Sequence, residues 1–195
     1  MSYSIIGAGN VGTALARQFV RSGIAVGLAN SRGPASLAAL STELGDLVTV
    51  MDVAQALEAK VIILAIPFRA HLALAGAAAD WHGKIVIDAM NTYGVPIEEL
   101  QGQASSDVVA AAFPDALVVK TFNQLPARLL AADPAEGGGR RVMFVSSNDA
   151  ASGITVARLV EQLGFAAVNL GKIAEGGVLL GMGGPLILQN LVKLG

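Results

Sequence analysis

Cysteine is absent from this chain of 195 residues. Without thiols there is no disulfide framework, no thiolate metal site and no cysteine nucleophile. Histidine occurs only as His71 and His82, and neither has metal-ligand spacing to another histidine or a carboxylate. Charged residues make up only 14%, the net charge is -2, and no run of Lys and Arg suggests a nucleic-acid face. The sequence thus predicts neither a metal site nor a nucleic-acid partner.

Long apolar runs are also lacking, although the mean hydropathy is +0.60. A membrane-spanning helix needs roughly 20 apolar residues, and the longest apolar stretch, Gly176 to Leu188, is interrupted by Pro185. The N-terminus has no basic flank followed by an apolar stretch, as a signal peptide would. We therefore expect a soluble cytoplasmic protein that makes no membrane contact.

What the chain has is an alternation of short apolar runs with Ala-rich helical patterns, which is typical of βαβ units. Strands are expected near Tyr3–Ile6, Ala25–Ala29, Leu47–Met51, Val61–Ile66, Ile85–Asp88, Leu117–Phe122, Val142–Val145 and Ala167–Leu170, the first five of them parallel. Helices are expected near Val11–Ser22, Ala35–Leu44, Val53–Leu57, Ala70–Asp80, Ser105–Ala112, Pro126–Ala132 and Ala150–Leu163. Asp52 and Asp149 are candidate N-caps.

This pattern predicts an α/β fold of the Rossmann type, doubly wound around a mainly parallel sheet. Residues 1–141 are expected to form the dinucleotide-binding domain. Residues 142–195 are expected to add a short α/β extension of the same sheet and to complete the acceptor cleft.

The strongest motif is Gly7-Ala8-Gly9-Asn10-Val11-Gly12, a Gly-x-Gly-x-x-Gly pattern between a predicted strand and a predicted helix. In a dinucleotide site the first glycine allows the tight turn, the second lets the pyrophosphate approach the backbone, and the third lets helix and strand pack closely. Backbone N–H groups of Asn10 and Val11 would face the anion at the helix start. The alternative is an ordinary glycine turn.

The residues Asn30-Ser31-Arg32 follow the second predicted strand, where NAD-binding proteins carry a carboxylate for the ribose hydroxyls. A carboxylate would repel a 2′-phosphate, whereas Arg32 can bind it through charge-assisted hydrogen bonds and Ser31 can add a donor. NADP(H) is therefore favoured over NAD(H). The alternative is a solvated Arg32 with Ser31 as the N-cap of the next helix.

Two further strand ends are expected to border the nicotinamide half, because ligands of open α/β sheets bind beyond the carboxyl ends of strands. One end carries Ile66, Pro67 and Phe68, and the other carries Asn91. Phe68 can equally fill the core, and Asn91 can cap its own turn. His71 is expected to be a polar residue in an exposed first helical turn, and the alternative is a contact with phosphate or substrate.

Several segments together resemble the coenzyme F-420-dependent NADP oxidoreductase family: Gly7 to Gly12, Asn30-Ser31-Arg32, Ala65-Ile66-Pro67, Val119 to Ala127, and Gly183 to Leu188. The resemblance covers nearly the whole chain. It implies a small Rossmann protein that transfers hydride between NADP(H) and a deazaflavin, with coenzyme F-420 or a flavin as second substrate. It also implies that the segment carrying Asn123, Leu125 and Ala127 lines the cofactor cleft.

Hydride transfer between two planar rings needs alignment and exclusion of water, so no catalytic side chain is expected. The short-chain dehydrogenase pattern Tyr-x-x-x-Lys does not occur. The alternatives are a non-catalytic NADP(H)-binding redox sensor and an imine- or hydroxyacid-reducing NADP-dependent dehydrogenase. The only other partner expected is a second copy of the chain, because the apolar tail from Val178 to Leu188 can pack across a two-fold axis or fold onto its own sheet.

Overall fold

The computed structural model describes residues 2–77 and 80–195, and a mixed sheet runs through it. Its strands are β1 (Tyr3–Ile6), β2 (Val26–Ala29), β3 (Val48–Val50), β4 (Val61–Leu64), β5 (Ile85–Asp88), β6 (Leu117–Lys120), β7 (Ala135–Glu136), β8 (Gly139–Ser147), β9 (Ala166–Asn169) and β10 (Val192–Leu194). The first six are parallel and lie in the order β3-β2-β1-β4-β5-β6. This is the order of a Rossmann fold.

Helices cover both faces of the sheet. The α-helices are α1 (Asn10–Arg21), α2 (Ala38–Leu44), α3 (Val53–Ala56), α4 (His71–Ala75), α5 (Ser105–Ala112), α6 (Ala127–Leu130) and α7 (Ala150–Gln162), and 3-10 turns cover Pro34–Leu37, Phe68–Ala70, Ile97–Leu100 and Gly177–Leu180. Strand residues alternate between two cores: Ile63 packs towards α1 and α7, and Ile62 packs towards α4 and α5. Both faces are buried, which explains the continuous apolar runs.

The C-terminal part joins the sheet through β8, which pairs antiparallel with β6 and β10 and parallel with β9. Both β6 and β10 pair with β8, and a side chain fills the gap between these two strands along β8. The Gln124 amide donates to the carbonyl of Val142 at 3.1 Å and accepts from the N–H of Phe144 at 2.8 Å. Its backbone carbonyl accepts from Leu188. Gln124 therefore hydrogen-bonds β8 to the C-terminal segment.

The fold class is confirmed, as are the parallel pairing of the first five strands and both N-caps. Asp52 accepts from the Gln55 N–H at 2.8 Å and Asp149 from the Ser152 N–H at 2.7 Å. The predicted strand over residues 117–122 ends at Lys120, because Phe122 has a φ of 63°, outside the extended range. The predicted helix over residues 70–80 is observed only as α4, which ends at Ala75 and is followed by a turn at residues 76 and 77; residues 78 and 79 lie outside the described residues. The division into 1–141 and 142–195 stays a prediction.

No helix in the described part of the chain is long and apolar enough to span a lipid bilayer.

Candidate functional site

A cavity of about 630 Å³ opens at the carboxyl ends of β1 and β4, the point at which the strand order reverses. From here α1 leads to one face of the sheet and α4 to the other, so the two connections diverge and leave a crevice. The wall includes the motif residues Gly7 and Gly9, the loop with Asn30 to Arg32, and Ile66 and Pro67. The structure thus brings seven of the fifteen predicted site residues together at this cavity.

Gly7 makes the close turn that shapes this cavity. Its φ is 110°, and a Cβ at this position would lie 2.2 Å from the carbonyl oxygen of Ala65, which follows β4. Any side chain would therefore push the two strand ends apart. Gly12 is buried in the first turns of α1, as expected for the glycine that packs helix against strand.

Gly9 differs from these two glycines, because a Cβ built on it meets nothing within 4 Å among the described atoms. It precedes Asn10 at the start of α1, where no side chain of the described residues caps the helix. The first N–H groups of an α-helix have no partner within the helix. Open space over bare backbone and free N–H groups fit a diphosphate.

The loop after β2 is held by Asn30. Its side-chain oxygen accepts from the Arg32 N–H at 2.9 Å, and its amide donates to the Ser36 hydroxyl at 3.0 Å. The Arg32 guanidinium forms no ion pair with any carboxylate of the described residues, so its charge is available at the cavity wall. The alternative in which Ser31 caps the next helix is wrong, because Gly33 holds that position.

One wall of the cavity was not predicted from the sequence. It consists of Val53 and of four residues in the segment after β4: Ala70, Ala73, Leu74 and Ala77. The spacing of three and four residues in that segment is the signal that was available, because it places small side chains on one helical face. All five side chains of this wall are apolar.

A second cavity of about 310 Å³ adjoins the first, and Ala65, Ile66 and Pro67 line both. Its remaining wall comes from α1, the 3-10 turn after β4 and the segment after β5: Val11, Phe68, Ala89, Met90, Asn91 and Tyr93. Phe68 is only 7% exposed, so it fills the core and also borders this cavity. Met90 and Tyr93 were not identified from the sequence.

Asn91 does not cap its own turn. Its amide donates to the backbone carbonyl of Asn123 at 3.0 Å, and the Asn123 amide donates to the Asn91 side-chain oxygen at 2.9 Å. Asn123 also donates to the Leu180 carbonyl at 2.7 Å. This pair ties the ends of β5 and β6 to the C-terminal segment.

A buried ion pair lies directly behind the second cavity. Lys120 Nζ is 3.2 Å from Asp88 Oδ2, and these residues are 1% and 0% exposed. Burial lowers the pKa of Lys120, and the charge and hydrogen bond of Asp88 oppose this effect. Asp88 Oδ2 also accepts from the Ser106 hydroxyl at 2.6 Å. Neither charge has access to solvent.

Three other predicted positions lie apart from the cavities or differ from expectation. Leu125 is buried in the core beside α1, and Ala127 begins α6, so their placement in the cofactor cleft stays a prediction. The expectation of an exposed His71 is wrong: it is 1% exposed, packed between Phe68 and Phe113. The apolar neighbours explain its burial.

Comparison with known proteins agrees with this geometry. Residues 2–92, which include every lining residue given above for the two cavities except Tyr93, match the family described as NADP oxidoreductase, coenzyme F420-dependent. The first half of the chain is thus similar to this family of NADP-dependent oxidoreductases. It is 43% identical to the hypothetical protein SMa0349 from Sinorhizobium meliloti, with a TM-score of 0.94 over 99% of this chain and 96% of that one.

A structure from Arthrobacter sp. fb24, provisionally described as an F420-dependent NADP-reductase, is 25% identical, with a TM-score of 0.76 over 99% of this chain and all of that one (100%). The chain is also 31% identical over 88% of its length to Metalloreductase STEAP3 from Rattus norvegicus. It spans only 34% of that relative. The metalloreductase is thus a much longer protein with which this chain shares one part.

Proposed function

We propose that this protein transfers hydride between NADP(H) and a planar redox acceptor of the flavin or deazaflavin class. The observation that carries the proposal is the shared wall of the two cavities, Ala65, Ile66 and Pro67. In a dinucleotide bound across this wall, Gly9 would hold the diphosphate and Arg32 the 2′-phosphate. The cavity beside Asn91 would then receive the nicotinamide.

The composition of the second cavity supports a reaction that needs no acid or base from the protein. Of its described lining residues, only Tyr93 carries a titratable group, and that side chain is 71% exposed. When bound, NADPH supplies a hydride equivalent, and a flavin-type acceptor takes the accompanying proton from solvent. The side chains of Val11, Phe68 and Met90 keep water from the reacting faces and align the rings.

The acceptor is tested by anaerobic oxidation of NADPH with coenzyme F-420, FMN or ferric citrate, and with NADH in place of NADPH. The ferric salt is included because of the similarity to a metalloreductase. We expect turnover with at least one of the two ring acceptors and a strong preference for NADPH. Tight NADPH binding without turnover of any acceptor would contradict the proposal and favour a redox sensor.

We further propose that the chain forms a homodimer through its C-terminal segment. Part of this segment packs on its own sheet, since Leu180 is fully buried and β10 pairs with β8. Val178, Met182 and Leu188 nevertheless remain 44%, 43% and 61% exposed. Apolar side chains in such a cluster favour contact with a second copy.

A further inference from the structure

We propose that the buried pair Lys120 and Asp88 is a positioning device for the wall of the second cavity. This inference rests on the proposed function, because it assigns the wall to the nicotinamide and its acceptor. Neither residue is expected to touch cofactor or substrate. Their effect is transmitted through the backbone of Met90.

The pair forms hydrogen bonds with both backbone polar groups of Met90, the N–H and the carbonyl. Asp88 Oδ1 accepts from the Met90 N–H at 3.0 Å, and Lys120 Nζ donates to the Met90 carbonyl at 2.6 Å. Met90 is the middle one of three consecutive residues, Ala89 to Asn91, that line the cavity. The orientation of this short segment is therefore set by one carboxylate and one ammonium group.

The contacts extend from Met90 to its neighbour Asn91 and from there to the segment that follows β6. Asn91 bonds reciprocally with Asn123, and Asn123 lies three residues beyond Lys120 on the same chain segment. Between them Phe122 adopts a φ of 63° while fully buried, a conformation that is strained for a large side chain and that surrounding contacts must maintain. The ends of β5 and β6 are thus joined twice, once by the ion pair of Lys120 and Asp88 and once by the amide pair of Asn91 and Asn123.

Stability alone does not explain this pair. Removing two charges from water carries a desolvation cost, and well-packed apolar residues of similar volume are often as stabilising or more so. Apolar residues would fill the same space, but they would leave both polar groups of Met90 unpaired. The pair gives what an apolar replacement cannot, namely a defined donor and acceptor for the segment that faces the cavity.

The decisive variant is the double substitution Lys120→Met and Asp88→Asn. It removes both charges together, so that no lone buried charge remains, and the amide oxygen introduced at position 88 can still accept from the Met90 N–H. The donor to the Met90 carbonyl is lost, and the Ser106 hydroxyl loses its acceptor because an amide nitrogen replaces Oδ2. Val156→Ala is the matched control, because it truncates a buried side chain of α7 and lowers the unfolding temperature without touching the site.

We expect the double variant to keep KM for NADPH within about threefold and to lose at least about tenfold in kcat with the ring acceptor. At equal thermal stability, Val156→Ala keeps both constants near the wild-type values. The fluorescence of bound NADPH, which reports the surroundings of the nicotinamide, is expected to change only in the double variant. A purely structural pair would not separate kcat from KM in this way.

Equal kcat and equal NADPH fluorescence in the double variant and the control would overturn the inference. If the wild type reduces no acceptor, the proposed function fails, and the fluorescence comparison still decides the positioning role. If the double variant does not fold, Lys120→Gln combined with Asp88→Asn serves instead, because it removes both charges, keeps polar side chains that can bond to each other, and still takes the ammonium away from the Met90 carbonyl. An unchanged kcat and fluorescence in this second double variant would then reject the inference.

Discussion

A Cβ built on Gly12 would lie 1.8 Å from the carbonyl oxygen of Gly7. The two glycines of the opening turn are thus in direct contact, and the turn exists only because neither carries a side chain. Gly9 stands between them in sequence, yet its Cβ position is open. The three glycines of one motif therefore have different sensitivities to substitution.

Substitution by alanine separates these roles. Gly12→Ala is expected to prevent folding or to lower the unfolding temperature strongly, because the methyl group overlaps backbone that cannot move aside. Gly9→Ala is expected to fold like the wild type, since its φ of -81° suits any residue, and to weaken NADPH binding at least about tenfold by occupying the diphosphate position. Thermal unfolding and NADPH titration measure both effects. Equal affinity of Gly9→Ala and wild type would show that the diphosphate lies elsewhere.

Arg32→Glu tests the preference for NADP(H). The substitution replaces a charge-assisted donor with a carboxylate that repels the 2′-phosphate, and we expect about a 100-fold loss of NADPH affinity. NADH affinity should change little. Arg158→Glu makes the same charge change at an exposed position of α7 and serves as the control. Calorimetric titration measures the affinity for each nucleotide. Equal losses for both nucleotides would refute the role of Arg32.

Lys120 predicts a specific dependence of stability on alkaline pH. Its folded-state pKa is lowered from 10.5, so between the lowered value and 10.5 the unfolded state binds more protons. The free energy of unfolding therefore rises with pH in this window. Burial also raises the pKa of Tyr3, which acts in the opposite direction above about pH 10.

The comparison that isolates Lys120 is urea unfolding of the wild type and of Lys120→Met/Asp88→Asn over the same pH series. Tyr3 is present in both proteins, so its contribution cancels. We expect the stability difference between the two to shift in favour of the wild type as pH rises through the window. A difference that stays constant would mean that Lys120 keeps its ordinary pKa.

The proposed dimer is tested by light scattering on the eluate of a sizing column. Val178→Asp combined with Leu188→Asp places charges on the exposed apolar tail and is expected to convert a dimer into a monomer. Ile154→Asp, at a side chain 50% exposed on α7, should leave the dimer intact. A monomeric wild type would contradict the proposal.

Local patterns in the sequence were sufficient to predict the parallel sheet and the glycine turn that leads into α1. The glycine motif lies within one short segment, and Asp52 and Asp149 cap helices through neighbours three residues away. These features depend on interactions close along the chain. They can be recognised without knowing which strands become neighbours.

Contacts between distant segments could not be predicted in the same way. The bonds from Asn91 to Asn123 and from Lys120 to Asp88 each join residues 32 positions apart, and they require β5 and β6 to be adjacent. The sequence pattern predicts where strands form but not which strands pair with each other. For the same reason β7 and β10, which are two and three residues long, carry no recognisable period of their own.

The amide of Gln124 has a consequence for the integrity of the whole sheet. It closes the gap in the edge of β8 between β6 and the last strand, and its backbone anchors the chain segment leading there. Loss of this one side chain would leave two backbone groups unpaired beside an apolar tail, the Val142 carbonyl and the Phe144 N–H, and unpaired groups at a strand edge are a template for strand addition between molecules. Protection against aggregation would then depend on a single glutamine.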